Sequence, residues 1–303
     1  MNPERPNTGE VARSRRKAVA MELSVNEAIG RLTRSTQWVT VDRIPLDFAC
    51  HHPQGLDRVG ENFFLSAAEI IEETVRYENP GSGPDRTAGK GRGHLFEMSP
   101  EGRLLRNWEL GEYDVYHPSG LTFDGESVWV PTAEYRPDSN AIMYRIDPAT
   151  GEVSEEFRYP DHLGGVSRDP GSGRLFGITW GGRRILELTG DGELLREVPV
   201  RSHYVDFQDC VEMEEGIASW TGVAEYPDGS GGVFSLGGIA LIDMATGDIR
   251  HEAPVTVLSP AGRVVTFNAT HLEVEGDRLR MYAIPDDGSR PGESSLLILE
   301  AAL

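Results

Sequence analysis

From Trp38 onward the chain is built of short runs in which apolar and polar positions alternate, cut apart by clusters of Gly, Pro and Asp. Trp38-Val39-Thr40-Val41, Ser127-Val128-Trp129-Val130, residues 141–146, Arg184-Ile185-Leu186-Glu187-Leu188 and residues 238–242 all follow this rhythm. A period of two marks half-buried β-strands, because successive side chains leave a strand on opposite faces. One exception precedes them. Residues 24–33 read as a short helix, with Ser24 as N-cap and Glu27 three positions on completing a capping box.

The strands come in repeating units. His52-Pro53-Gln54-Gly55-Leu56, His117-Pro118-Ser119-Gly120-Leu121 and His162-Leu163-Gly164-Gly165-Val166 are variants of one phrase, each opening a β-type run. A second phrase, a strand ending in a tight turn, follows downstream. Its copies are Glu97-Met98-Ser99-Pro100-Glu101-Gly102, Ile146-Asp147-Pro148-Ala149-Thr150-Gly151, Leu188-Thr189-Gly190-Asp191-Gly192 and Ile242-Asp243-Met244-Ala245-Thr246-Gly247. Pro, Asp and Gly supply the dihedrals that such turns need. The anchors Leu56, Leu121, Val166, Val211 and Val274 mark five units, with 45 residues between the middle ones. The longer first and fourth intervals place loops at residues 70–92 and 226–236.

Four antiparallel strands in a unit of this length form a β-propeller blade. After Val274 only three strands fit: that of Val274 and those at 279–284 and 296–299. Trp38–Pro45 stands unassigned ahead of His52. The expected fold is therefore all-β: a five-bladed β-propeller of four-stranded antiparallel blades, closed by the N-terminal strand so that no sheet edge stays open. Residues 1–37 are expected as a tail with the short helix, and 38–303 as a single propeller domain.

Charge narrows the partners. The 303 residues carry a net charge of −20, which repels phosphate backbones and anionic lipid, so neither nucleic acid nor membrane is an expected partner. No apolar run approaches the roughly 18–20 residues of a membrane helix. Ser14-Arg15-Arg16-Lys17 has the look of an export signal, but Glu22 interrupts the apolar stretch behind it. A cytoplasmic location is expected, with residues 1–20 disordered and Met21 an alternative start. The two cysteines, Cys50 and Cys210, form no CxxC pair and read as small buried hydrophobes, although both stand beside the histidine phrase.

Candidate chemistry sits where the repeat would converge. His52, His117, His162 and His271, four of the eight histidines, enter inner strands at nearly equivalent positions; His271 is one residue closer to its anchor, and Asp206-Phe207-Gln208 takes the place in blade four. Neutral imidazoles gathered on an axis suit a divalent metal such as Zn, Fe or Mn, and the four histidines are the expected ligands. Glu69, Glu134 and Glu225 follow an alanine at the ends of second strands and are the expected catalytic or orienting carboxylates. Without a metal, a histidine beside a glutamate serves as general acid or base. Repeats also duplicate structural residues, so the phrase as turn former and the glutamates as turn caps stay open beside the site reading. Trp180 and Trp220 are rim or core aromatics, and Arg183 and Arg184 face either an anion or solvent. No GxSxG, HExxH or phosphate-binding glycine loop is present.

Gln54-Gly55-Leu56 followed by Phe63-Phe64-Leu65 resembles the plant-type glutamine cyclotransferases, which are five-bladed. Their catalytic Glu directly follows the apolar pair of the second strand. That place is Ser66 here and Glu69 comes later, so the resemblance does not imply the activity. The inner-strand histidines resemble the logic of carotenoid-cleaving oxygenases, larger propellers in which four histidines hold iron. The turns Asp147–Gly151 and Asp243–Gly247 resemble those of gluconolactonase-like and streptogramin-lyase-like propellers. Together they imply a small-molecule ligand and a metal-dependent hydrolase or lyase. The competing expectation is a non-catalytic propeller that binds a protein or carbohydrate through its top-face loops.

Overall fold

The computed structural model describes residues 23–267 and 269–303. The Arg-rich stretch at 14–17 and Met21 lie outside the described residues. The helix α1 (Val25–Ile29) starts on the Ser24–Glu27 capping box, in which Ser24 Oγ accepts from the Glu27 N–H and Glu27 Oε2 accepts from the Ser24 N–H. It is shorter than the pattern suggested and ends at Gly30, a residue with little helix preference. Ala28, Ile29 and Leu32 are buried against the fourth and fifth sheets.

Strand β1 (Trp38–Pro45) comes first in the chain but last in the ring. Blade one is β2 (His52–Val59), β3 (Asn62–Glu72), β4 (Lys90–Met98) and β5 (Leu104–Leu110). In blade two the inner strand is broken into β6 (Val115–Pro118) and β7 (Thr122–Phe123), which both pair with β8 (Val128–Glu134); β9 (Ala141–Ile146) and β10 (Val153–Tyr159) complete it. Blade three is β11 (Gly165–Arg168), β12 (Leu175–Ile178), β13 (Arg184–Leu188) and β14 (Leu194–Pro199). Blade four is β15 (Asp206–Glu214), β16 (Ile217–Pro227), β17 (Val233–Asp243) and β18 (Ile249–Val255). Blade five is β19 (Ala269–Glu275), β20 (Arg278–Ile284) and β21 (Ser295–Ala302), with β1 as its outer strand. The protein is thus an all-β five-bladed propeller closed by its N-terminal strand.

Two details depart from the sequence pattern. Residues 226–236, expected as a loop, are largely the extended tip of the β16–β17 hairpin, paired out to Pro227↔Val233. The anchors of blades four and five also shift. Cys210 and Leu272 are the buried residues there, while Val211 and Val274 are only half-buried. Bulges in β15 at Phe207/Asp209 and Cys210/Glu212 insert extra residues, which moves the side-chain parity along the strand.

Apolar clusters fill the seams between neighbouring blades. Phe64, Leu95, Leu121 and Val130 join blades one and two, and Phe63, Phe96, Tyr282 and Leu296 join blades one and five. At the phrase glycines the inner strands approach backbone to backbone. A Cβ on Gly120 would lie 2.3 Å from the Gln208 carbonyl oxygen, and one on Gly55 would lie 2.6 Å from the Leu121 nitrogen. The glycine of the repeated phrase therefore exists to let neighbouring backbones touch. Asp209 Oδ2 accepts from the Leu56 N–H at 2.9 Å and the Thr270 N–H at 3.1 Å, tying blade four to blades one and five.

Candidate active site

The phrase histidines His52, His117 and His162 line one cavity of about 250 Å³ on the face where the inner strands begin. Gln54, Ser119 and Gln208, Tyr135, Trp180 and Phe267, and Asp206 share its wall. An adjoining cavity of about 430 Å³ is lined by His51, Glu69, Glu73, Asp287 and Ser289, and it shares His52 and Tyr135 with the first.

Each imidazole has a different environment. His52 Nδ1 lies 2.9 Å from Asp287 Oδ1. Arg263 grips both oxygens of that carboxylate, at 2.8 and 2.7 Å. Burial works to raise the Asp287 pKa, but the hydrogen bonds and charges of His52 and Arg263 prevail and hold it down to about 2. Asp287 is thus a fixed anion. With Nδ1–H donated to it, the His52 ring is left with Nε2 as its base.

His117 is buried, and neither of its ring nitrogens has a partner. Burial, then the charges of His52 and His162, push its pKa well down. Its ring stacks on Tyr135 at 4.2 Å between centroids, nearly parallel at 8°. His162 donates from Nδ1 to the Glu134 carbonyl oxygen at 2.9 Å, which leaves Nε2 as an acceptor. Burial lowers its pKa to about 4, so it is neutral at physiological pH. Trp180 meets it edge to face at 4.8 Å, and the Arg86 guanidinium covers Trp180 at 4.9 Å. Two uncharged imidazoles therefore flank the His52–Asp287 pair, with aromatic rings on the walls. Such a pocket suits a compact polar molecule with one flat or apolar face.

The other expected site residues go elsewhere. His271 is not in the cavity. Its Nδ1 lies 3.1 Å from Asp57 and its Nε2 3.3 Å from Glu273, and its ring packs near Phe63 and Tyr282 at the seam of blades five and one. Burial lowers its pKa, but the two carboxylates outweigh this and raise it to about 9. The one-residue offset already visible in the sequence turns it to the other side of its strand, and Phe267 is the blade-five residue at the cavity. Glu134 does orient His162, but with its backbone; its carboxylate takes hydrogen bonds from Arg136 at 2.6 Å and Asn140 at 2.7 Å. Glu69 lines the adjoining cavity, with Arg92 at 3.3 Å and His94 Nε2 at 3.9 Å. Glu225 is exposed near the tip of β16. Arg183 binds Asp206, and Arg184 binds Asp161 and Glu197. Trp220 is core. Cys50 and Cys210 are free, buried thiols in different apolar clusters.

Sequence reasoning missed Tyr135 and Asp287. Both lie in connections that follow second strands, Tyr135 one residue beyond Glu134 and Asp287 shortly after β20. Among the described residues, the group whose metal-ligating atoms all lie within 4.8 Å of one another is not the phrase trio but His51, Glu69 and His94. No helix among the described residues is long and apolar enough to cross a membrane.

Over residues 16–303 the chain matches a family described as "Family of unknown function (DUF6454)", and it belongs to that family. No curated protein matches it. Among solved structures it is similar to MPT-4, a mannose phosphorylase from Leishmania mexicana, at 10% identity and a TM-score of 0.53, covering 86% of this chain and 88% of that one. A GH43 endo-arabinanase from Bacillus licheniformis is 11% identical with a TM-score of 0.48, covering 85% of this chain and 95% of its own. The tail fibre of Staphylococcus aureus phage P68 is 8% identical with a TM-score of 0.48; the match covers 89% of this chain and about half, 53%, of the fibre chain. Enzymes stand among these neighbours, and at such identities the likeness is one of fold.

Proposed function

We propose that this member of the DUF6454 family is a small-molecule enzyme that uses His52 as a general base in the central cavity, in a hydrolysis or an elimination. The observation that carries this reading is the Arg263–Asp287–His52 chain, which ends at a cavity walled by neutral imidazoles and aromatic rings. Asp287 fixes the ring orientation and stabilises the imidazolium that forms when Nε2 takes a proton from water or from the substrate. His162 Nε2 supplies a hydrogen-bond acceptor inside the cavity, and Tyr135 and Trp180 supply flat surfaces for a ring.

The test is a panel of lactones, esters and β-elimination substrates run with the wild type, His52→Ala and Asp287→Asn. The expected loss in kcat is about 10²–10⁴-fold for His52→Ala. A change below threefold would exclude His52 as the base. Turnover of nothing, combined with tight capture of a glycan or protein, would favour a non-catalytic propeller.

A second reading has its own support. The unpartnered nitrogens of His117 suit a divalent ion held with His52 and His162. Metal analysis of tag-free wild type and His117→Ala addresses it.

A further inference from the structure

We propose a second site, for a divalent first-row cation of the Zn²⁺ type, formed by His51, Glu69 and His94 at the seam of blades five and one. These residues offer two imidazoles and a carboxylate whose ligand atoms all lie within 4.8 Å of one another. Two nitrogens and one oxygen are a donor set that zinc and its neighbours favour. Around a tetrahedral ion with bonds of about 2.1 Å, ligand atoms stand about 3.4 Å apart. The 3.9 Å between His94 Nε2 and Glu69 Oε2 is close to that spacing.

The fold positions each ligand by a separate route. In the β3–β4 ladder Ala67 pairs with His94 and Glu69 with Arg92, so Glu69 and His94 are diagonal neighbours on one face of blade one. His51 reaches the same face from the connection ahead of β2. Its backbone exchanges two hydrogen bonds with Gly288, N–H to O at 2.8 Å and O to N–H at 2.9 Å, and its φ is +56°. A non-glycine residue in that region is held there by its surroundings, and such residues gather at functional sites. The His51 ring lies over the His94 ring at 5.1 Å and 16°.

His94 is prepared as a ligand. It is more than nine-tenths buried, its Nδ1 lies 3.2 Å from Asn107 Oδ1, and its Nε2 has no hydrogen-bond partner. An amide oxygen accepting from Nδ1–H fixes the tautomer that leaves Nε2 bare, as supporting groups do behind metal-bound histidines. That bare nitrogen points to the Glu69 carboxylate, whose same oxygen Arg92 reaches at 3.3 Å. The open coordination positions would face the 430 Å³ cavity, which His52 and Tyr135 share with the central one.

The site is tested by titrating Zn²⁺ into tag-free, chelator-stripped full-length protein by calorimetry, and Co²⁺ by visible absorption. One ion per chain is expected. Glu69→Gln and His94→Ala are each expected to weaken binding by at least about tenfold, and Asn107→Leu by about tenfold through the loss of its support. Circular dichroism checks that His94→Ala folds, and Glu69→Gln carries the test if it does not. His117→Ala is expected to leave stoichiometry and affinity unchanged. No binding of either ion, or binding lost in His117→Ala and retained in Glu69→Gln, overturns the proposal. Absence of binding leaves the role of His52 as base untouched, whereas the second outcome would move the ion to the central histidines, where it would compete for His52 Nε2.

Discussion

His271 shows how one residue's surroundings convert a candidate ligand into a structural cation. Two carboxylates, Asp57 and Glu273, raise its pKa from an ordinary 6.5 to about 9. A histidine whose pKa is higher folded than unfolded contributes stability that is complete below the unfolded value and is lost as pH rises through the folded one. Stability is therefore expected to fall between about pH 6.5 and pH 9. The shift corresponds to on the order of 3 kcal/mol. Asp209 acts in the same direction. Burial raises its pKa well above 3.8 against the hydrogen bonds from Leu56 and Thr270, so folding favours its protonated form and stability falls as pH rises through the folded value. Asp287 has the opposite sign: with a folded pKa of about 2, its contribution is present above pH 4 and is lost in strong acid. Urea melts of wild type and His271→Gln across pH 6 to 9 separate these terms. The variant is expected to show a flatter profile, and parallel profiles would show that His271 does not titrate there.

The inner strand is the element on which the repeated phrase does two jobs. In His117-Pro118-Ser119-Gly120-Leu121 the histidine lines the cavity, the glycine closes the axis, and Leu121 anchors the seam. The axial role is testable. Gly120→Ala forces a Cβ to within 2.3 Å of a backbone oxygen, whereas a Cβ on Gly81 meets nothing within 4 Å. Gly120→Ala is expected to cost about 1–3 kcal/mol in chemical denaturation, and Gly81→Ala less than about 0.5 kcal/mol. Equal effects would remove the close-approach argument. The same element sets the limit of what the chain discloses. Strand periodicity and the phrase spacing counted blades correctly, and three of four histidines fell together, because in blades one to three the histidine stands four residues ahead of a buried anchor, Leu56, Leu121 or Val166. In blade four the bulges of β15 slid the buried anchor to Cys210; β19 has no bulge, and in blade five the one-residue offset of His271 itself turns it away, so that Phe267 is the residue at the cavity. Cross-strand partners were hidden for another reason. That Glu69 faces His94 depends on how residues 73–89 fold back, and that Asp287 meets His52 depends on ring closure. Neither is encoded in local pattern.

At the scale of the whole ring, every blade delivers a residue to one cavity: His52, His117, His162, Asp206 and, from the connection into blade five, Phe267. Their relative positions hold only while the ring is shut. Closure rests on β1, which pairs with β21 from Trp38↔Ala301 to Pro45↔Ser295. Most of β1 is exposed apart from Trp38, so its contribution is chiefly a ladder of backbone hydrogen bonds, with one aromatic side chain inserted among Leu272, Leu279 and Leu299. Each ladder bond adds about 1 kcal/mol, and Trp38→Ala alone is expected to cost about 3–5 kcal/mol. Removing residues 1–45 does more than remove energy. It bares β21, an apolar edge of the kind that recruits other chains. The truncated protein is therefore expected to self-associate on size exclusion, and an added peptide spanning residues 23–46 is expected to restore the elution volume of the full-length protein by filling the vacant edge. A truncated chain that stays soluble and unassociated, with an unchanged urea midpoint, would mean that the blades hold the ring without the N-terminal strand. His52 and Asp287 come from the two blades that β1 indirectly locks together, so their 2.9 Å contact should fail before the blades themselves unfold. Loss of the proposed turnover at urea concentrations below the fluorescence transition is the signature expected of that order.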